Sequence, residues 1–194
     1  MDVKKLAKSM LVAHSEHGAK RVAIYEHANN ILRTAKKTIF ALHRGDRDGA
    51  EQLVIQNISR IEEVRKLIDN DTFLFADRGA FAAAVEEFYE SVFFFAFIAN
   101  KDMDEVFTQF ADIVFYEIYL SAMCDYTGEL VRYAVRNAQV DTITDIDAIR
   151  AQVDDIVGVL LEFDNTGKLR VKLEDVKRNL KKLEAIVYDL RIRQ

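Results

Sequence analysis

The 194-residue chain contains no proline, no tryptophan, seven glycines and a single cysteine. A β-sandwich, a barrel or a doubly wound α/β fold needs many tight turns, and this composition supplies few turn formers. Long helices joined by short connections remain. Cys124 alone excludes a disulfide scaffold and any cysteine-based zinc site, and it suits a reducing compartment. The start, MDVKKLAKSM, lacks the apolar core of a signal peptide, and no purely apolar run approaches the roughly 18 residues of a membrane span. The expectation is a soluble, cytoplasmic protein with no membrane partner. No Gly-rich phosphate loop is present, and no Ser or Cys nucleophile motif.

What is present is hydrophobic residues at 50% of the chain, enough for a sizeable core, and a length that fits one domain, residues 1–194. The net charge of −5 is unevenly spread. Residues 1–44 hold nine basic and three acidic side chains, and residues 168–194 hold nine and four. The stretch 45–167 holds nine basic and twenty-five acidic side chains. Basic flanks around an acidic middle fit a polyanion surface beside a cation site, and equally fit complementary charge between packed helices.

Apolar residues recur at steps of three and four. Ile24, Ala28, Ile31, Ala35, Ile39 and Leu42 form one stripe of a first helix from about Val3 to Arg44, with a break conceivable at Gly18. Asn29, Asn30, Arg33, Lys37 and Arg44 fall on the opposite face. Gly45 and Gly49 punctuate a turn before a second helix to about Ile68, and Asp69 to Thr72 reads as a stop and restart. A third helix, about Phe73 to Ala99, ends in a run that is apolar all round, which predicts a central position. Further helices are expected at about Val106–Asn137, Asp145–Phe163 and Leu169–Arg191. In the last, Leu173, Val176, Leu180, Leu183, Val187 and Leu190 form an a/d seam that asks for a partner helix. The class is all-α.

Two acid pairs stand out. Glu87 and Glu90 are three apart on a stripe that also holds Phe94 and Ile98. Asp125 and Glu129 are four apart on a stripe that runs from Val114 through the acids to Arg132 and Arg136. Carboxylates on an apolar face are costly to bury unless paired or metal-bound. Acids converging from two helices make an all-oxygen site of the kind Mg²⁺ or Mn²⁺ prefers. Pairing Glu129 with Arg132 or Tyr133, and Glu87 and Glu90 with basic helices, satisfies the same spacing without a metal. A di-iron centre is disfavoured because no histidine follows a glutamate by three. His14 and His17 lack a third ligand for zinc, and Cys124 has the apolar setting of an inert thiol.

Four ordered blocks carry a family resemblance. Lys37 to Arg44, KTIFALHR, resembles the KRTIFLLHR stretch of translin-associated factor X. Glu87 to Ile98, EFYESVFFFAFI, and Tyr119 to Arg132, YLSAMCDYTGELVR, are similar to its EYVEAVSFQHFI and YLLGVADLTGELMR segments. The tail from Leu173 to Arg193 is similar to the end of translin. The chain thus resembles the translin family from about residue 24 onward, nearest the catalytic factor X branch, with an archaeal homologue as the natural source. That resemblance implies an all-α bundle of about seven helices that assembles into a hollow octamer and binds single-stranded RNA or DNA inside. It implies Mg²⁺-dependent endoribonuclease activity, with Mn²⁺ as a substitute. The family's catalytic and metal-holding acids fall on Glu87, Glu90, Asp125 and Glu129. Arg33, Lys36, Lys37, Arg44, Arg132 and Arg136 are candidates for phosphate contacts by their placement. Tyr126 departs from the family's leucine, and the loop before the fourth helix is short. Gly128 would let a substrate backbone or a neighbouring helix come close. The rival readings are a non-catalytic single-stranded DNA/RNA-binding shell and a scaffold that needs a second subunit.

Overall fold

The computed structural model of the chain describes residues 3–68, 79–138, 143–164 and 166–193. Among these it has seven helices: α1 (Val3–His43), α2 (Arg47–Ile68), α3 (Gly79–Ala99), α4 (Asp104–Gln109), α5 (Tyr116–Asn137), α6 (Ile143–Leu161) and α7 (Gly167–Arg193). None of the described helices is long and apolar enough to cross a membrane. The stop-and-restart expected at Asp69 to Thr72 and the start of the third helix at Phe73 lie outside the described residues.

α1 runs unbroken through Gly18 for 41 residues, about 60 Å at 1.5 Å per residue. Its buried positions begin only at Ile24 and follow the expected stripe through Ala28, Ile31, Ala35, Ile39 and Leu42. The helix closes in a Schellman turn. The Asp46 N–H donates to the Ala41 carbonyl and the Gly45 N–H to that of Leu42, both at 3.0 Å. Gly45 takes the left-handed conformation, φ 81°, that this turn requires. Asp46 then caps α2 by accepting the Gly49 N–H at 2.9 Å. A Cβ at Gly49 would lie 2.3 Å from the Asp46 carboxylate, so Gly49 makes room for the cap inside the first turn of α2 instead of marking the turn before it. This abrupt connection folds α2 back along α1. There the buried Asn57 donates from Nδ2 to the Ile31 carbonyl at 3.1 Å.

α3 is the central helix, as its apolar run predicts, packed on α1, α2 and α5. Phe81, Phe88, Tyr89, Phe94 and Phe95 are among its fully buried side chains. The long helix expected at Val106–Asn137 is in fact two. After the short α4, Phe110, Ile113 and Val114 turn inward and are buried, and Phe115 is extended before α5 starts at Tyr116. Bonds from the Ile113 and Val114 N–H groups to the Phe110 carbonyl, 3.0 and 2.9 Å, hold that turn. The three keep the spacing of one helix face, so the break shows in the backbone and not in their burial. The Tyr119 hydroxyl donates to the Phe107 carbonyl at 2.6 Å and meets the Tyr89 hydroxyl at 3.1 Å, which ties α4 to α3 and α5. The seam of α7 finds its partner within the same fold: Leu173, Val176, Leu183 and Val187 are buried, and α7 packs on α6 and α5.

Candidate metal and nucleic-acid site

The packing of α3 on α5 brings both acid pairs into one electrostatic neighbourhood. Glu90 shows this most clearly. Burial, reinforced by the negative charges of Asp125, Glu87 and Glu129 and only partly offset by Lys172, pushes its carboxyl up to about 8. Burial likewise raises Glu87, with Lys36 opposing and Asp125 adding to the effect. It raises Asp125 even though Lys172 draws it the other way. The four carboxylates thus raise the cost of one another's charge.

Cationic side chains from two other helices reach the same acids. From α7, the Lys172 ammonium contacts the Asp125 carboxylate and lies 2.9 Å from Glu86. Lys168 approaches Glu86 at 2.7 Å. Burial works to raise Glu86, but these two lysines outweigh it and hold the carboxyl below its ordinary value. Lys172 itself is raised: burial disfavours its charge, and hydrogen bonds to Asp125 and Glu86 more than restore it. From α1, Lys36 stands 3.7 Å from Glu87. His43 points Nε2 at Glu129, with a side chain only 1% exposed. Its ring packs against Phe94 at 4.7 Å. Arg132, one turn beyond Glu129 on α5, lies 3.6 Å from the same carboxylate.

Glu90 is different. No cationic side chain among the described residues forms an ion pair with it, although it is the most perturbed acid of the four. The alternative that the spacing allowed is therefore half realised: Glu129 does meet Arg132 and Glu87 does meet the basic α1, while Glu90 is left without a counter-ion. The four acids share one electrostatic neighbourhood, but among the described residues no three His, Cys, Asp or Glu side chains stand close enough together to hold a metal ion.

The other candidates divide into two sets. Lys36 and Arg132 are engaged with acids, whereas Arg33, Lys37, Arg44 and Arg136 are exposed and enter no ion pair among the described residues. Sequence reasoning missed Lys172, Lys168, Glu86 and His43 as parts of the site. Lys172 lies 47 residues from Asp125 and Lys168 lies 82 from Glu86, and both read locally as charges on an amphipathic helix. His43 sits inside the KTIFALHR block, which was its one available signal. Gly128 does not serve a close helix approach, since a Cβ there would meet only Asn179 Nδ2 at an ordinary 3.8 Å.

The sequence matches the translin family model over residues 19–194. This chain belongs to the translin family. Its fold is similar to the crystal structure of apo-NeC3PO, with a TM-score of 0.79 at 15% identity and 96% of each chain covered. It is also similar to a structure of an AfC3PO–duplex RNA complex, with a TM-score of 0.80 at 19% identity, covering 100% of this chain and 98% of that one. No curated protein matches the sequence. At these identities the solved structures establish the translin-type bundle.

Proposed function

We propose that this translin-family protein is a metal-dependent endoribonuclease of the factor X type, cutting single-stranded RNA inside a hollow homo-octamer. The observation that carries the reading is Glu90, a buried acid raised further by the charges of three other carboxylates and left without an ion-pair partner of its own. A set of oxygen donors with surplus negative charge suits Mg²⁺, or Mn²⁺ in its place. Asp125 and Glu129, with Glu87 or Glu90, are the residues to hold it. A divalent ion bound there lowers the pKa of a coordinated water and stabilises charge on a phosphodiester oxygen. The fit requires Lys36 and Lys172 to yield part of their present contacts, because both now supply the positive charge that Glu87 and Asp125 need.

The remaining glutamate holds or moves a proton at the attacking water, and Glu90, the acid without a cationic partner of its own, suits that task. His43 orients the Glu129 carboxylate from beneath. Arg33, Lys36, Lys37, Arg44, Arg132 and Arg136 line the approach as phosphate contacts, giving binding with little base selectivity. The similar AfC3PO structure holds duplex RNA, so the substrate's strandedness is part of the test.

A specific observation favours a second reading. Glu87, Asp125 and Glu129 each have a cationic or histidine partner, as expected of structural pairs in a non-catalytic shell that binds single-stranded DNA or RNA. Labelled single-stranded and duplex RNA, incubated with wild type and Asp125→Asn in Mg²⁺, Mn²⁺ or EDTA, separates the two. Cleavage by wild type alone, abolished by EDTA, supports the nuclease. Salt-sensitive binding with no turnover in either metal supports the shell.

A further inference from the structure

α1 carries two aromatic side chains that the core does not use, Tyr25 and Phe40, and of these Phe40 lies beside the acidic cluster. Phe40 is 53% exposed, although its neighbour Ile39 is buried. At about 100° per residue, Phe40 falls in the middle of the stripe formed by Arg33, Lys36, Lys37 and Arg44, all of them exposed. From α5, the Arg132 guanidinium stands 5.5 Å from the centre of the Phe40 ring, while reaching Glu129 at 3.6 Å. The ring is thus stationed between the basic stripe and the acidic cluster.

A phenyl ring kept in water contributes little to folding, and cations on several sides exclude a basic partner surface. The combination suits a polyanion that also offers flat π faces. Single-stranded nucleic acid has both: phosphates for the cations and unstacked bases for the ring. In a duplex the bases already stack on one another, so a ring of this kind favours single strands.

We propose that Phe40 is a stacking platform for one unpaired base of a single-stranded nucleic acid, with Arg132 and Lys36 on the phosphates beside it. The proposal rests on the nucleic-acid reading above and adds the feature that selects single strands. Arg132 has a double part in it, since its guanidinium covers one side of the ring and so leaves the opposite side for the base.

The test uses the full chain in EDTA, so that binding is read without cleavage. The probes are a labelled oligouridylate about a dozen nucleotides long, within the usual site sizes, its abasic sugar–phosphate counterpart, and a duplex of the same length. Phe40→Ala is expected to weaken oligouridylate binding by roughly 5- to 100-fold, the range that base–aromatic stacking is worth. It should leave the abasic oligomer unchanged and keep the slope of affinity against salt. Phe40→Trp should restore binding. Equal weakening of the abasic oligomer, or a change in oligomer mass by native mass spectrometry, makes the ring a structural or inter-subunit contact and overturns the platform. If wild type binds none of the probes, the nucleic-acid reading fails and the platform with it. If wild type binds and Phe40→Ala matches it, the platform alone fails.

Discussion

The acidic cluster is held firmly on its α7 side and loosely on its α1 side. Lys172 lies between Asp125 and Glu86 with its side chain 13% exposed, and Lys168 closes on Glu86. Lys36, by contrast, is 56% exposed and stands 3.7 Å from Glu87. An exposed pair at that distance is worth at most about 1 kcal/mol, because water screens it and both side chains lose freedom. Removing Lys172 strands Asp125, which water cannot fully solvate, and leaves Glu86 to Lys168 alone. The α7 contacts therefore help to fasten α7 to α3 and α5, and the α1 contacts are the ones free to rearrange around a charged ligand. His43 is the exception on α1: buried and packed on Phe94, it fixes Glu129 and leaves the loose behaviour to Lys36.

The sharpest way to probe this contrast is at the acid neither side neutralises. Glu90→Gln should reduce RNA cleavage by about 100-fold or more, the usual weight of a positioned proton-transfer group. Unchanged cleavage would remove Glu90 from the chemistry. Next in size, Lys172→Met should destabilise the metal-free protein by about 2–4 kcal/mol in urea unfolding. That is less than for a fully buried pair, because the Asp125 side chain keeps 36% of its exposure. Equal losses in Lys172→Met and Lys36→Met would erase the difference between the two sides.

Stability against pH gives a third test. The folded-state carboxyl of Glu90 titrates near 8, above its ordinary 4.5. Folding therefore favours its protonated form: the group is harmless below about pH 4.5, increasingly destabilising from there up to about 8, and fully so above 8. In EDTA, Glu90→Gln should raise Tm above pH 8, by about 2–4 °C for each kcal/mol of repulsion relieved, and change it little near pH 4.5. A uniform shift across pH would argue against the crowding of charge. Smallest of all, Lys36→Met should alter stability by no more than about 1 kcal/mol.

Periodicity made the fold readable, because burial of one face forces a three- and four-residue rhythm, as at Ile24 to Leu42 and Leu173 to Val187. The same rhythm placed each acid pair on one side of its helix. The break between α4 and α5 escaped it, since Phe110, Ile113 and Val114 keep the three- and four-residue spacing through a turn that interrupts the helix. Lys172 escaped for a different reason. A lysine on an amphipathic helix carries no local mark of its partner, and only the packing of α7 on α5 turns it inward. Of the two readings of Gly128, the close helix fails and the substrate backbone stands, because a missing side chain does not say what fills the space.

Cys124 gives the molecule a built-in clock. It is the chain's sole thiol, buried at 3% exposure one residue before Asp125, and burial pushes it up to about 11. A thiol reagent can reach it only when α5 parts from its neighbours. Its labelling rate therefore times how often this helix breathes, without any introduced probe.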